Sequence, residues 1–121
     1  MRLAVDVMGG DHGCGVVIEG VRRALAADLK IDQVHLVGHE SEIRAAMHHA
    51  GLRDSRIHIV HAAEVLTMDD KPLEGIRKKK DSSMVRAIEL VRDGKADAVI
   101  SAGNTGALVA GSMKLGRLDG V

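Results

Sequence analysis

Four short apolar runs, each followed by an apolar repeat of helical spacing, divide this chain, and no Asn-Gly or similar hairpin signal joins two of them. This alternation constrains the fold most. Strands separated by helices pair in parallel, and right-handed crossovers place the helices on both faces of one sheet. The runs are residues 3–7, 33–37, 56–60 and 97–100. The first helical repeat is Val17, Val21, Ala24 and Leu25, opened by Asp11, with Glu19, Arg22 and Arg23 mostly outside. The second is Ile43, Ala46, Met47 and Ala50, capped by Ser41 and closed by Gly51. The third is Met84, Val85, Ile88 and Val91, capped by Ser82 or Ser83 and stopped by Gly94. A fourth helix is expected from Asn104 through Ala107, Leu108, Ala110 and Met113.

The 121 residues suit a single α/β domain, 1–121. With 45% apolar and 28% charged residues the composition is that of a soluble globular protein. Seventeen basic residues balance seventeen acidic ones, so no basic excess points to nucleic acid. Phe, Tyr and Trp are absent: the core must be aliphatic, and no aromatic platform exists for stacking bases or sugars. The single cysteine, Cys14, excludes an internal disulfide. The N-terminal apolar stretch, interrupted by Asp6, is too short for a signal peptide. No apolar run approaches the roughly 18 residues of a membrane span, so a cytoplasmic location is expected. The end at Leu118-Asp119-Gly120-Val121, just past a helix, reads as a chain cut short.

In an open parallel sheet the ligand crevice lies beyond the carboxyl ends of the strands. Three stretches should reach that rim: residues 8–13, the long irregular region 61–82, and the turn 101–106. In the last, Ser101, Ala102 and Gly103 lead into a helix whose first turn holds Asn104, Thr105 and Gly106. Backbone N–H groups and the helix dipole there would favour a phosphate or carboxylate. The alternative is an ordinary strand-to-helix connection capped by Asn104 or Ser101. The basic run Arg77-Lys78-Lys79-Lys80 has the composition of solvated surface, yet Asp81-Ser82-Ser83 and a helix start follow it directly, a setting that can hold an anion.

Asp6 and Asp11, with His12 beside them, could bind a cation or act as acid and base. Capping is preferred for Asp11; Asp6 is open between chemistry and hydrogen bonding to loop amides. Cys14, near a helix start, could be an activated thiol, but small-residue packing is preferred. His48 and His49 diverge on a helix and His58 and His61 fall on opposite faces of a strand, so no metal is expected. The dinucleotide and P-loop patterns fail: Gly13-Cys14-Gly15 runs on to Ile18, and Gly111 is followed by Ser112 where a lysine is required.

Three longer stretches together resemble the phosphate acyltransferase family of bacterial phospholipid synthesis. They are Val5-Asp6-Val7-Met8-Gly9-Gly10-Asp11-His12, Ile76-Arg77-Lys78-Lys79-Lys80-Asp81-Ser82-Ser83-Met84 and Ser101-Ala102-Gly103-Asn104-Thr105-Gly106-Ala107, with residues 57–65 in support. The resemblance implies a three-layer α/β/α fold with a mostly parallel sheet, like isocitrate and isopropylmalate dehydrogenases and incomplete in this chain. It implies transfer of an acyl group from acyl-acyl-carrier-protein to inorganic phosphate, giving acyl phosphate, with no metal or organic cofactor. It also implies a cytoplasmic homodimer at full length that can associate peripherally with the membrane. On this reading Ser101, Gly103, Asn104, Thr105 and Gly106 seat the phosphate. Lys79, Lys80 and Ser82, with Asn104, are the catalytic candidates, and Asp6, Gly9, Gly10, Asp11 and His12 form the adjoining wall. Family members are more than twice as long, so the isolated portion is expected to lack part of the site and to leave a sheet edge or face uncovered. Two other readings are a non-catalytic phosphate- or nucleotide-binding module, and an interaction domain gripping an acidic partner through the basic run.

Overall fold

A computed structural model describes residues 1–8, 14–27, 30–64 and 81–101. Along them strand and helix alternate: β1 (Arg2–Asp6), α1 (Cys14–Ala26), β2 (Gln33–Gly38), α2 (Glu40–Ala50), β3 (Ile57–His61), α3 (Ser83–Arg92) and β4 (Ala98–Ser101). The helix expected from Asn104, and Asp11 as a cap, lie outside the described residues.

The four strands form one sheet in the order β3-β2-β1-β4, every neighbouring pair parallel. β1 is central, with Leu3 opposite Val34 on one side and Ala98 on the other, and Asp6 opposite Val37 and Ser101. Its alternate residues enter different cores. Leu3 and Val5 join Val34, Leu36, Ile18, Leu25 and Ile43 under α1 and α2. Ala4 joins Val37, Ala87 and Ala96, with Leu90, Val91 and Val99 against them, under α3. Helices thus cover both faces, giving the three-layer α/β/α arrangement. Right-handed crossovers account for the sides: β1 to β2 to β3 advances one way and keeps α1 and α2 together, whereas the return to β4 sends α3 to the opposite face. Among the described residues no helix is long and apolar enough to cross a membrane.

The strands sit within one residue of the sequence expectation, and three shifts have a visible cause. Arg56, expected to open β3, turns back instead. Its guanidinium donates to Leu25 O at 3.1 Å and Ile31 O at 3.4 Å while pairing with Asp54 at 2.7 Å. Asp97, expected in β4, is an acceptor: its carboxylate takes the Arg2 backbone N–H at 2.7 Å and the Arg2 guanidinium at 3.0 Å. β1 therefore begins at Arg2, whose carbonyl accepts the Asp97 N–H at 2.7 Å.

α1 buries Ile18 and Leu25, with Val17, Val21 and Ala24 on the flank of that line, and keeps Glu19 outside against Arg22 and Arg23. Beside α1 a cavity of about 240 Å³ opens, lined by apolar residues including Val5, Val17, Val21 and a half-exposed Ile100. α2 begins at Glu40, one residue before the expected cap Ser41. Its cap is His39, whose side chain makes no capping bond. The Glu40 N–H is satisfied by His61 Nδ1 at 3.2 Å, and His39 Nε2 donates to Ala63 O at 2.9 Å. Gly51 ends α2 in the left-handed region, φ 66°, with its N–H on His48 O and the Leu52 N–H on Met47 O. α3 is capped by Ser82, whose Oγ accepts the Val85 N–H at 3.2 Å.

Gly38 closes β2 where Met8 folds over it: a Cβ there would stand 2.6 Å from Met8 Cγ and 3.0 Å from Val7 Cγ2. Gly38→Ala should therefore overpack the end of β1 and cost about 1–3 kcal/mol, read as a lower denaturation midpoint at unchanged m-value. The Arg56 pair holds the Asp54 carboxyl down from 3.8 to about 2, chiefly by the side-chain hydrogen bond. Because the folded pKa is depressed, this contribution is present above the unfolded value and is lost as pH falls through the folded one. Unfolding titrations should show wild type losing more stability than Asp54→Asn between about pH 4 and about pH 2.

Candidate functional site

Because the sheet is parallel, Asp6, Gly38, His61 and Ser101 end their strands on one edge. The chain steps from β1 outwards to β3, then returns to place β4 on the other side of β1. The reversal lies between β1 and β4, the position at which open α/β sheets form their ligand crevice. Asp6 and Ser101 are register partners there. Ser101 Oγ donates to Asp6 Oδ2 at 3.1 Å, and the Met8 N–H donates to Oδ1 at 3.1 Å, closing a turn on the carboxylate's own backbone.

The start of α3 meets the same point from the opposite face. Ser82 and Ser83 are fully buried, as is Asp6. Ser83 Oγ lies close enough to the Asp6 carboxyl to favour its charged form, yet makes no hydrogen bond of ordinary geometry among the described residues. Burial pushes the Asp6 carboxyl above the ordinary range, against the opposing pull of Ser83, the Met8 amide and Ser101.

The region expected to be irregular, 61–82, has its two ends clamped together at this rim. The Glu64 N–H donates to Asp81 O at 3.1 Å, and the Asp81 N–H donates to Glu64 Oε1 at 3.2 Å. The Ala63 N–H reaches Asp81 Oδ2 at 3.1 Å, the Ser83 N–H reaches Glu64 O at 3.0 Å, and Arg86 pairs with Asp81 at 2.6 Å. The Ala63 N–H and then Arg86 hold the Asp81 carboxyl below its ordinary value. Glu64 and Asp81, which flank residues 65–80 in sequence, thus meet at the start of α3.

Of the residues singled out from the sequence, Asp6, Ser82 and Ser101 are described, and all three lie at this edge. Gly9, Gly10, Asp11, His12, Lys79, Lys80, Gly103, Asn104, Thr105 and Gly106 lie outside the described residues. The Ser82 hydroxyl is occupied as the cap of α3. Sequence reasoning included Glu64 only within the stretch 57–65 and gave it no role, since that role arises from contacts 17 residues away, and it gave Ser83 no role beyond that of an alternative cap. Asp81 and Ser83 do stand inside the motif that follows the basic run, the one signal that could have found them.

Cys14 packs against the core. It is half-buried against the core, Sγ faces Glu42 O at 3.7 Å, and burial followed by the Glu42 charge raises its pKa. His35 and His58 stack across β2 and β3 with ring centres 5.4 Å apart, and burial followed by the His58 charge lowers the His35 pKa. Among the described residues no group of three or more His, Cys, Asp or Glu side chains could hold a metal ion.

Comparison with known proteins places this chain in a family. All 121 residues match the family described as fatty acid synthesis protein. A phosphate acyltransferase of Akkermansia muciniphila is 48% identical over 122 residues, covering 100% of this chain and 35% of the relative. Relatives of the same name in Exiguobacterium sibiricum and Bacillus pumilus are each 48% identical over 100% of this chain, which covers 36% and 35% of their lengths. The chain therefore spans about a third of the length of the curated relatives it matches. It belongs to the fatty acid synthesis protein family, the family of these phosphate acyltransferases.

Proposed function

We propose that this chain is the N-terminal part of an acyltransferase that moves a fatty acyl group from acyl-acyl-carrier-protein to inorganic phosphate, giving acyl phosphate. One observation carries the reading. In a chain whose relatives are named phosphate acyltransferases, Asp6, Ser101 and the start of α3 converge at the sheet's topological switch point, and the motifs 8–12, 77–80 and 101–106 adjoin these residues in sequence.

The chemistry needs little from the protein beyond placement and charge. A phosphate oxygen attacks the thioester carbonyl, a C–O bond forms, the C–S bond breaks, and the carrier thiol leaves with a proton. Phosphate is the nucleophile, so no Ser or Cys is acylated, in keeping with the raised pKa of Cys14. Ser101 and the backbone at Gly103, Thr105 and Gly106 seat the phosphate in this reading, and the Asn104 carboxamide supplies a donor to the developing oxyanion. Lys79 and Lys80 neutralise phosphate charge or meet the phosphopantetheine arm. Ser82 serves them by capping the helix they precede, and Asp6, Gly9, Gly10, Asp11 and His12 form the wall. The full-length enzyme acts in the cytoplasm as a homodimer, with peripheral attachment to the membrane.

The test is trapping of acyl phosphate with hydroxylamine, from acyl-carrier-protein thioester and phosphate, on this chain and on its full-length form. Product from the long form alone supports the reading and makes this chain part of a site. Product from neither, with competition between ATP or NAD and other ligands but none by phosphate, favours a nucleotide-binding module. In the active form Asn104→Ala should lower kcat about 10²–10³-fold, the loss of one oxyanion donor. Lys79→Ala with Lys80→Ala should raise KM for phosphate by about 10- to 100-fold through the loss of charge-assisted bonds.

A further inference from the structure

We propose that the apolar cavity beside α1 receives the tail of the transferred acyl group, and that Gly20 keeps it open. This rests on the acyltransferase reading, since the group such an enzyme moves is a hydrocarbon chain beyond its carbonyl. The cavity, about 240 Å³, lies between α1 and the sheet and is lined by aliphatic residues and glycine alone. Val5 and Ile100 face each other in its wall as register partners, and the next pair along the strands is Asp6 and Ser101 at the carboxyl edge. The cavity therefore begins one residue below the candidate site. From Val17 and Ile100 it continues to Leu25 and Val34, at the far end of α1 and the start of β2.

The lining selects the guest. A phosphate, nucleotide or sugar placed there would leave its polar groups without partners, whereas a hydrocarbon tail loses nothing by leaving water. A dry apolar cavity of about 150 Å³ takes up a benzene-sized guest, so this one accommodates several methylenes. Gly20 is the second mark. A glycine inside a helix is a poor choice for stability. Here a Cβ would meet no heavy atom within 4 Å outside its own stretch of helix, so close packing does not call for a glycine, while room for a guest does. Ile100 agrees: a large aliphatic residue stands half exposed where the cavity adjoins the edge. α1 runs from that edge toward the opposite one, and Gly20 lies about 9 Å along its axis from Cys14. A side chain at Gly20 would fill the deeper part and spare the part beside Val17.

The experiment measures kcat/KM of the full-length protein for octanoyl and palmitoyl thioesters of acyl-carrier-protein, wild type against Gly20→Leu, with thermal midpoints beside them. Filling the cavity should lower kcat/KM for palmitoyl at least about tenfold and leave octanoyl within about twofold, the scale on which a hydrophobic pocket rejects excess methylenes. The ratio of the two substrates is a readout that a change in stability alone would not move. A ratio unchanged, or shifted toward palmitoyl, overturns the proposal and leaves the acyltransferase reading standing. Where the midpoint falls as well, the cavity holds protein, either other residues of this chain or further residues of the full-length one. If wild type forms no acyl phosphate, that reading falls. In that case, or should Gly20→Leu fail to fold, wild-type full-length protein is irradiated with palmitate carrying a mid-chain diazirine. Label within residues 17–25 supports a fatty-tail site in this cavity; label elsewhere alone, or none, overturns it.

Discussion

The structure depends on β1 being paired on both sides and covered on both faces. A strand in that position has no free edge and no solvated face, so its residues 3–6 are all buried. Such burial is favourable for Leu3, Ala4 and Val5 and costly for Asp6 unless every carboxylate oxygen finds a donor. The Met8 amide and the Ser101 hydroxyl meet that need, with the Ser83 hydroxyl close by. The demand of one buried carboxylate thus ties the first turn, the last strand and the third helix to one point. That point is also the reversal of strand order.

α3 packs on a face without aromatic residues. The face it covers is built on Ala4, Val37, Ala62, Ala87 and Ala96, with larger aliphatics only around them. Small side chains stand there on both the helix and the sheet, and α3 fully buries the larger Met84 and Ile88 as well. The opposite face, under α1 and α2, is filled by Leu, Ile, Val and Met and stands as an ordinary aliphatic core. Both faces supply apolar burial, since α3 itself buries Met84, Val85 and Ile88, and the α3 face also brings a helix N-terminus and its serines to the carboxyl edge.

At the rim, donors and acceptors are satisfied by residues far apart in sequence. The first turn of α2 leans on His61 and the side chain of its cap on Ala63; the start of α3 leans on Glu64. Glu64 and Asp81 close the stretch between them by reciprocal backbone and side-chain bonds. Such a clamp fixes the distance between the residues that flank 65–80 in sequence.

Read alone, the sequence determined what depends on neighbours a few residues away. Helical spacing marked α1, α2 and α3; Gly51 and Ser82 marked a helix end and start; and the alternation of runs implied a parallel sheet, because each signal is a local period or a local dihedral preference. It also marked Asp6, Ser82 and Ser101 as residues of one rim, since parallel strands must end together. Contacts across the chain decided the rest. Ser41 yielded the cap of α2 to His39 because His61 reaches the Glu40 amide; Arg56 and Asp97 left their strands to bind distant partners; and Ser83 and Glu64 gained roles from groups that only the folded sheet brings near. Periodicity is written in adjacent residues. The partner of a buried charge is chosen only when strands and helices have packed.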